Sequence, residues 1–208
     1  MFFSLDGVDG GGKSTQSTLF CTWLRNSGHD VVVCRDPGTT ELGEVIRDIL
    51  LTSHEVGMVR RAEMLLYMAA RAQLVEEIIE PALEAGKIVV SDRYLLANVA
   101  YQGYGGQLEV GAVWDVGQVA TASRMPDLTF VLDIDVQAAT GRIDRQKDRM
   151  ESQGDAFAQR VRQGYLTEAN RNPDKIVVID AGREIDAVQA DIQKEAAKKI
   201  METSNLNP

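Results

Sequence analysis

The stretch GVDGGGKS, from Gly7 to Ser14, has the spacing G-x-x-x-x-G-K-[ST]. Its glycines let successive backbone N–H groups curl around an anion. A helix starting directly behind it adds a favourable dipole. In such a loop Lys13 reaches the β- and γ-phosphates of a nucleotide, and the Ser14 hydroxyl ligates Mg²⁺. The whole run Gly7, Val8, Asp9, Gly10, Gly11, Gly12, Lys13, Ser14 and Thr15 is the predicted phosphate cradle. A strand before it and a helix after it weigh against a plain glycine-rich turn. Switches, ATPases and kinases all use this motif, so it does not name the reaction. A guanine-binding switch would want N-K-x-D, and no Asn-Lys pair occurs in the chain.

A second constellation lies farther on. Asp92, Arg93 and Tyr94 follow an apolar run. An aspartate at the end of a central strand suits Mg²⁺ or its water, and the neighbouring arginine offers a fork for a second phosphate. Asn98 has both a donor and an acceptor, which suits a pyrimidine edge. Tyr67 and Arg71 are four apart on a predicted helix and share a face; an aromatic plane with a guanidinium can stack on a base and hydrogen-bond to it. Each of these also reads as ordinary packing or a surface ion pair.

A third group is Arg142, Arg145 and Arg149. On a helix they share one face, between Gly141 and Gly154, as in a closing segment spanning about 140–154. Phosphoryl transfer asks a protein mainly for positioning and charge stabilisation, and an arginine at the transferred group is worth about 10³–10⁵ in rate. Val8 to Gly12 contain no arginine, so this segment is the predicted source. Arg145 and Arg149 come first and Arg142 third. The same spacing fits a solvated helix with ion pairs such as Arg145 to Asp148.

These groups need a scaffold. Nearly continuous apolar runs at 2–6, 30–34, 88–92, 128–133 and 175–180 read as strands buried on both faces of a parallel sheet. Ligands of such sheets gather at the carboxyl ends of the strands. Helices are predicted over 14–26, 40–51, 60–85, 107–121, 136–150, 155–170 and 185–202, the first stopped by Gly28 and the third interrupted at Pro81. Residues 103–106 read as a loop, and the last six residues as a fraying tail. No linker or repeat divides the 208 residues, so the expectation is one domain.

The net charge of −9 argues against a nucleic-acid partner, whose binding rests on a basic footprint. Cys21 and Cys34 read as reduced core thiols, and His29 and His54 as surface residues. There is no signal-peptide pattern and no apolar stretch near the ~18 residues of a membrane span. The expected setting is the cytoplasm.

With these residues in view, the chain resembles the thymidylate kinases. LDGVDGGGKSTQ, RDPGTTELGEVIRDILL, AARAQLVEEIIEPAL, SDRYLLANVAYQG and PDLTFVLDIDV come in that family's order, from Phe2 to about Asp191. The resemblance implies a three-layer α/β P-loop kinase fold, its five-stranded parallel sheet in the order 2-3-1-4-5 flanked by helices. It implies transfer of the ATP γ-phosphoryl to dTMP with Mg²⁺ at Ser14 and Asp92, and a homodimer. By position, Asp9 resembles the carboxylate near the acceptor's 3′-hydroxyl and phosphate. Arg35 and Arg93 resemble acceptor-phosphate clamps, Arg47 a further phosphate-side arginine, and Pro37 a proline that is often cis. Tyr67 falls where an aromatic stacks on thymine, Arg71 and Asn98 at the base edge, Tyr101 beside the sugar 2′ position, and Gln102 next to it. The loop without an arginine resembles the class whose catalytic arginine sits in the lid. The turn PGTT departs from Pro-Gly-Gly-Thr, and Ala97 stands where serine is frequent. The alternatives are a kinase for another nucleotide or a nucleoside, and a nucleotide-dependent switch or inactive binding protein. An apolar helix face around Met64, Met68 and Val75 is a candidate dimer surface.

Overall fold

A computed structural model describes residues 1–52, 57–142, 144 and 148–206; Arg145 and His54 lie outside the described residues. The chain runs β1 (Phe2–Asp6), α1 (Lys13–Asn26), β2 (Val31–Arg35), α2 (Glu41–Thr52), α3 (Arg60–Leu74) and a π-helical turn, Val75–Ile79. It continues through α4 (Glu80–Glu84), β3 (Ile88–Asp92), α5 (Leu95–Asn98), a second π-helical stretch, Val99–Gly105, and α6 (Val110–Ala120). Then come β4 (Leu128–Asp133), α7 (Val136–Gly141), α8 (Asp155–Arg171), β5 (Ile176–Asp180) and α9 (Ile185–Leu206).

The strands form one parallel sheet in the order β2-β3-β1-β4-β5. Because side chains alternate along a strand, the apolar runs feed two cores. Phe3, Leu5, Val90 and Phe130 pack with Phe20 of α1, Tyr165 of α8 and Ile192 of α9. Phe2, Val89 and Cys34 pack with Met64, Met68 and Leu74 of α3 and Val113 of α6. Strands buried on both sides need apolar residues at consecutive positions, which is why the runs do not alternate. Cys21 and Cys34 are both buried and free.

Register sets the site. Leu5 pairs with Asp92, and Arg35 also pairs with Asp92. The ends of β1, β2 and β3 therefore stand in one row, and the loops leaving them meet at one edge. Gly28 stops α1 with φ of 87°, its N–H bonded to the Arg25 carbonyl.

The interruption expected in the helix over 60–85 is present: the wider Val75–Ile79 turn comes just where an α-helical ring of residue 81 would crowd the carbonyl four residues back. Four other expectations are corrected. Residues 103–105 belong to the helical Val99–Gly105 stretch rather than to a loop. The helix predicted over 136–150 ends at Gly141, so Arg142 and Arg149 share no helical face. α9 continues to Leu206, past the end predicted at 202, and residues 207–208 of the tail lie outside the described residues. Met64, Met68 and Val75 are core residues, which removes them as a dimer surface. Apolar side chains left exposed on the helices include Leu42, Val45 and Ile49 of α2, Leu65 of α3 and Val119 of α6, besides Leu19 of α1 and Ile185 and Met201 of α9.

Candidate active site

The phosphate loop sits between the end of β1 and the start of α1. Gly7, Gly10 and Gly12 have φ of 138°, 79° and 85°. A Cβ at Gly10 would come 2.1 Å from the Ala139 carbonyl oxygen, so the close approach of α7 as well as the turn demands glycine. Lys13 folds back across the loop and donates to the carbonyls of Val8 (2.9 Å) and Gly7 (3.2 Å), with Asp9 at 3.7 Å. Burial pushes its ammonium pKa down, Arg93 adds to that, and Asp9 opposes it. A phosphate arriving here would take over a lysine already aimed into the loop.

Arg93 joins three elements. Its guanidinium donates to Gly7 O (2.8 Å), Asp9 Oδ1 (2.6 Å) and the hydroxyls of Tyr101 and Tyr165 (3.2 Å each). Its backbone has φ of 68°, a left-handed conformation unusual for a side chain of this size. That turn carries the side chain from the end of β3 back to β1. Tyr101 donates to Asp9 Oδ2 at 2.8 Å. Burial alone would raise the Asp9 carboxyl, but Arg93, Lys13 and the Tyr101 hydroxyl outweigh it and hold it well below the usual carboxylate range.

Asp6 lies just behind. It is fully buried, accepts from Ser4 Oγ (3.2 Å), and burial raises its pKa to about 6 against the pull of Arg93. The folded form therefore binds a proton more tightly than the unfolded chain does. Between about pH 4 and 6 the folded state holds the extra proton, so stability from this group falls as pH rises through that window. Asp6→Asn removes the term. Relative to the wild type it should gain on the order of 2 kcal/mol between pH 4 and 7 in urea unfolding followed against pH. A pH-independent difference between the two proteins would contradict this.

The cavity over the loop is lined by Gly10 to Gln16, Arg35, Arg47, Asp92, Arg93 and Arg142, and reaches Ala181–Ile185 after β5. Arg142 donates to the Ala181 carbonyl (3.2 Å). Arg183, missed in the sequence, lines the same wall; its place directly after a strand's carboxyl end was the available signal. Asp92 Oδ1 is buried with no hydrogen-bond partner among the described residues, and Ser14 lines the same space. An orphaned carboxylate oxygen and a hydroxyl beside a phosphate loop suit a hard cation such as Mg²⁺, which takes few protein ligands and the phosphates themselves.

A neighbouring cleft shares Asp9, Asp36, Arg47 and Arg93 with the first and runs away from it between α3 and α5. Tyr67, Arg71, Ala97, Asn98, Tyr101, Gln102 and Pro37 line it. The Asp36–Pro37 peptide is cis, and the Pro37 carbonyl accepts from Arg47 at 2.9 Å. Arg71 is buried and pairs with Asp36 at 2.5 Å; its guanidinium also lies over the Tyr94 ring. Burial raises the Asp36 carboxyl, against the pull of Arg71. Asn98, Tyr101 and Gln102 come to one side because the helix there widens into the π-helical stretch. Asn98 Nδ2 donates to Gln102 Oε1 (2.7 Å), which leaves Asn98 Oδ1 buried and unpartnered, as is Asp36 Oδ1. Buried polar atoms left open in a cleft are where a ligand's complementary groups go. Arg35 is exposed; its Nη2 donates to both Glu44 carboxylate oxygens (2.8 and 3.0 Å), and it lines the cavity over the loop rather than this cleft.

The structure thus brings the loop and Tyr67, Arg71, Asp92, Arg93 and Asn98 to two adjoining cavities, while Tyr94 turns into the core and donates to the Arg124 carbonyl (2.9 Å). It does not bring Arg149 to the loop. That side chain donates to the Leu50 carbonyl (2.7 Å) and pairs with Glu63 (2.5 Å), beside the far cleft. Glu63 had no sequence signal: an acid in a helix's first turn reads as a solvated favourable charge.

Comparison with known proteins fits this geometry. The family model described as thymidylate kinase matches residues 5–192. The curated thymidylate kinase of Exiguobacterium sp. (strain ATCC BAA-1283 / AT1b) is 44% identical over 194 residues, covering 92% of each chain. That of Clavibacter michiganensis subsp. michiganensis (strain NCPPB 382) is 45% identical over 204 residues, covering 96% of each. The crystal structure of thymidylate kinase from Ehrlichia chaffeensis superposes with a TM-score of 0.77 at 30% identity, covering 94% of this chain and 98% of that one.

Proposed function

This chain belongs to the thymidylate kinase family, and on that footing we propose how its own residues transfer the γ-phosphoryl of ATP to dTMP, giving dTDP and ADP. The observation that carries the reading is the shared wall of the two cavities, where Asp9, Arg47 and Arg93 stand between the phosphate loop and the second cleft.

The donor triphosphate lies on Gly7–Thr15 with Lys13 on its terminal phosphates, and its base points toward Arg142 and Arg183. The acceptor lies in the second cleft. Its phosphate faces Arg93, Arg47 and Arg35, its sugar faces Asp9 and Tyr101, and its base lies on Tyr67 between Arg71, Asn98 and Gln102. Arg93 spans both phosphates, so the attacking and transferred groups are held by one planar fork. Asp9, kept ionised, accepts a hydrogen bond from a sugar hydroxyl and takes no proton from it. Ser14 and Asp92 would hold Mg²⁺, which would supply neutralisation of the charge that builds on the transferring phosphates. With no arginine in the phosphate loop, a lid arginine completes the charge: Arg142 already lines the donor cavity, and Arg145 and Arg149 are the other candidates.

No described helix is long and apolar enough to cross a membrane, which accords with action in the cytoplasm. A homodimer would cover the exposed apolar side chains of α2, α3 and α6.

The test is a steady-state panel of dTMP, dUMP, TMP, dCMP, dGMP and thymidine with ATP and Mg²⁺. Thymine differs from uracil by one methyl, and hydrophobic pockets separate such pairs by about 10–200-fold. The expected order is dTMP first, dUMP lower by that factor, and thymidine and the ribonucleotide lower still. Preference for another acceptor would overturn the base assignments, and no transfer to any acceptor would overturn the kinase reading.

A further inference from the structure

We propose that Glu63 is a positioning residue that couples Arg149 to the acceptor-reading pair Asn98 and Gln102. This rests on the assignment of the second cleft as the acceptor site.

Glu63 stands in the first turn of α3 and its carboxylate has no exposure to solvent. A buried carboxylate is costly unless both oxygens are filled, and here they are filled from different sides. Oε1 accepts from Gln102 Nε2 at 2.9 Å. Oε2 pairs with Arg149 Nη1 at 2.5 Å. Arg60 Nη1 approaches both at 3.4 Å. The chain extends beyond each partner. Gln102 Oε1 accepts from Asn98 Nδ2 (2.7 Å), which fixes the amide so that Asn98 Oδ1 is the open atom in the cleft. On the other side Arg149 is also held by the Leu50 carbonyl, and Gln153 joins Arg149 O to Arg60 Nη2.

The consequence is directional. With its carboxylate intact, Glu63 accepts from Gln102, so the Gln102 amide must turn its oxygen to Asn98 and Asn98 must present its own oxygen to the acceptor. The same carboxylate fixes Arg149, whose neighbours Asp148 and Met150 line the cleft. Any shift of Arg149 therefore changes the field and position of the acceptor of Gln102, and through it the polarity offered to the base. Arg149 Nη2 is buried without a partner among the described residues. One carboxylate serves the base reader and the segment after α7 together.

The test is a double-mutant cycle repeated in two backgrounds. Arg149→Lys and Asn98→Ala are combined, and kcat/KM for dTMP and calorimetric dTMP affinity are measured for each. With Glu63 present, the pair should deviate from multiplicative behaviour by roughly 5-fold or more, as expected for residues in one hydrogen-bonded network. In Glu63→Gln, which keeps the shape and an oxygen acceptor but loses the charge, the deviation should fall to about 2-fold or less. Glu63→Gln alone should raise KM for dTMP about 10-fold while KM for ATP stays within about 2-fold. A carboxylate that only supports the fold would move both KM values together. If Glu63→Gln does not fold, Gln102→Ala cuts the same chain one link farther on and is read in the same cycle. Multiplicative behaviour with Glu63 present, or coupling that persists without its charge, overturns the proposal. A wild-type enzyme that binds dTMP but does not turn it over overturns the kinase reading, while the affinity cycle still decides the coupling. A wild type that binds no dTMP overturns both.

Discussion

Arg93→Met is expected to lower kcat/KM for dTMP by about 10³-fold or more, the scale of an arginine at a transferring phosphoryl group. It is also expected to destabilise the protein. The two effects come from the same bonds. Arg93 satisfies the Gly7 carbonyl and pairs with Asp9 at 2.6 Å while lying 5.0 Å over the Tyr101 ring. Burial works against its charge, yet Tyr101 and Asp9 hold it protonated well beyond the ordinary range. Removing one partner of a fully buried, hydrogen-bonded pair costs about 3–5 kcal/mol, because the other charge is stranded. Solvent reaches both side chains here, and Asp9 retains Lys13 and Tyr101, so the cost falls below that range. Arg93→Lys separates the effects: it keeps a cation for Asp9 but loses the fork. Thermal unfolding should show most of the stability restored in Arg93→Lys, and steady-state kinetics should show most of the rate loss remaining. Activity of Arg93→Met within tenfold of the wild type would remove Arg93 from the reaction.

Lys13→Met should behave differently. The rate should fall by about 10²–10³-fold, the typical loss of one preorganised donor at developing charge, and the fold should hold. Lys13 is buried, its ammonium is destabilised there by burial and by Arg93, and its two carbonyl partners keep other donors, Arg93 at Gly7 and the Gly11 N–H at Val8. Methionine fills the stem's volume without the desolvated charge. Calorimetry with ATP and stopped-flow turnover would check it, the expected result being weakened ATP affinity, a midpoint of unfolding within a few degrees of the wild type, and lost transfer. A collapse in stability with normal single-turnover chemistry would assign Lys13 to the fold instead.

How far these features could be read beforehand follows from where their causes lie. β1, β3 and β4 were legible to the residue because a strand buried on both faces needs an unbroken apolar run, and turns flank each run. β2 and β5 begin one residue later than read: Asp30 and Lys175 lead into the ladder only through a single backbone bond each. The glycine positions of the loop were legible because φ and close approach are local demands. The π-helical turns were not, since they answer Pro81 and the acceptor cleft rather than any local propensity. The arginines after α7 had a helical spacing, but the helix stops at Gly141 and spacing without a helix has no face. Glu63 is the clearest miss: its meaning depends on Gln102 and Arg149, 39 and 86 positions away.

The pairing of the site's cations has a kinetic consequence. Arg93 and Lys13 stand against Asp9, Arg71 against Asp36, Arg35 against Glu44 and Arg149 against Glu63. Of the described arginines and lysines lining the two cavities, Arg47 and Arg142 meet carbonyls and the rest meet carboxylates, so the positive potential reaching into solvent is small, and the chain as a whole is anionic. Nucleotides are therefore not steered in from a distance. They arrive at the slower, unassisted encounter rate, and recognition happens at contact range, where a phosphate displaces a carboxylate from an arginine already in place. Added salt screens the repulsion between two anions, so ionic strength favours capture where an electropositive cleft would lose it.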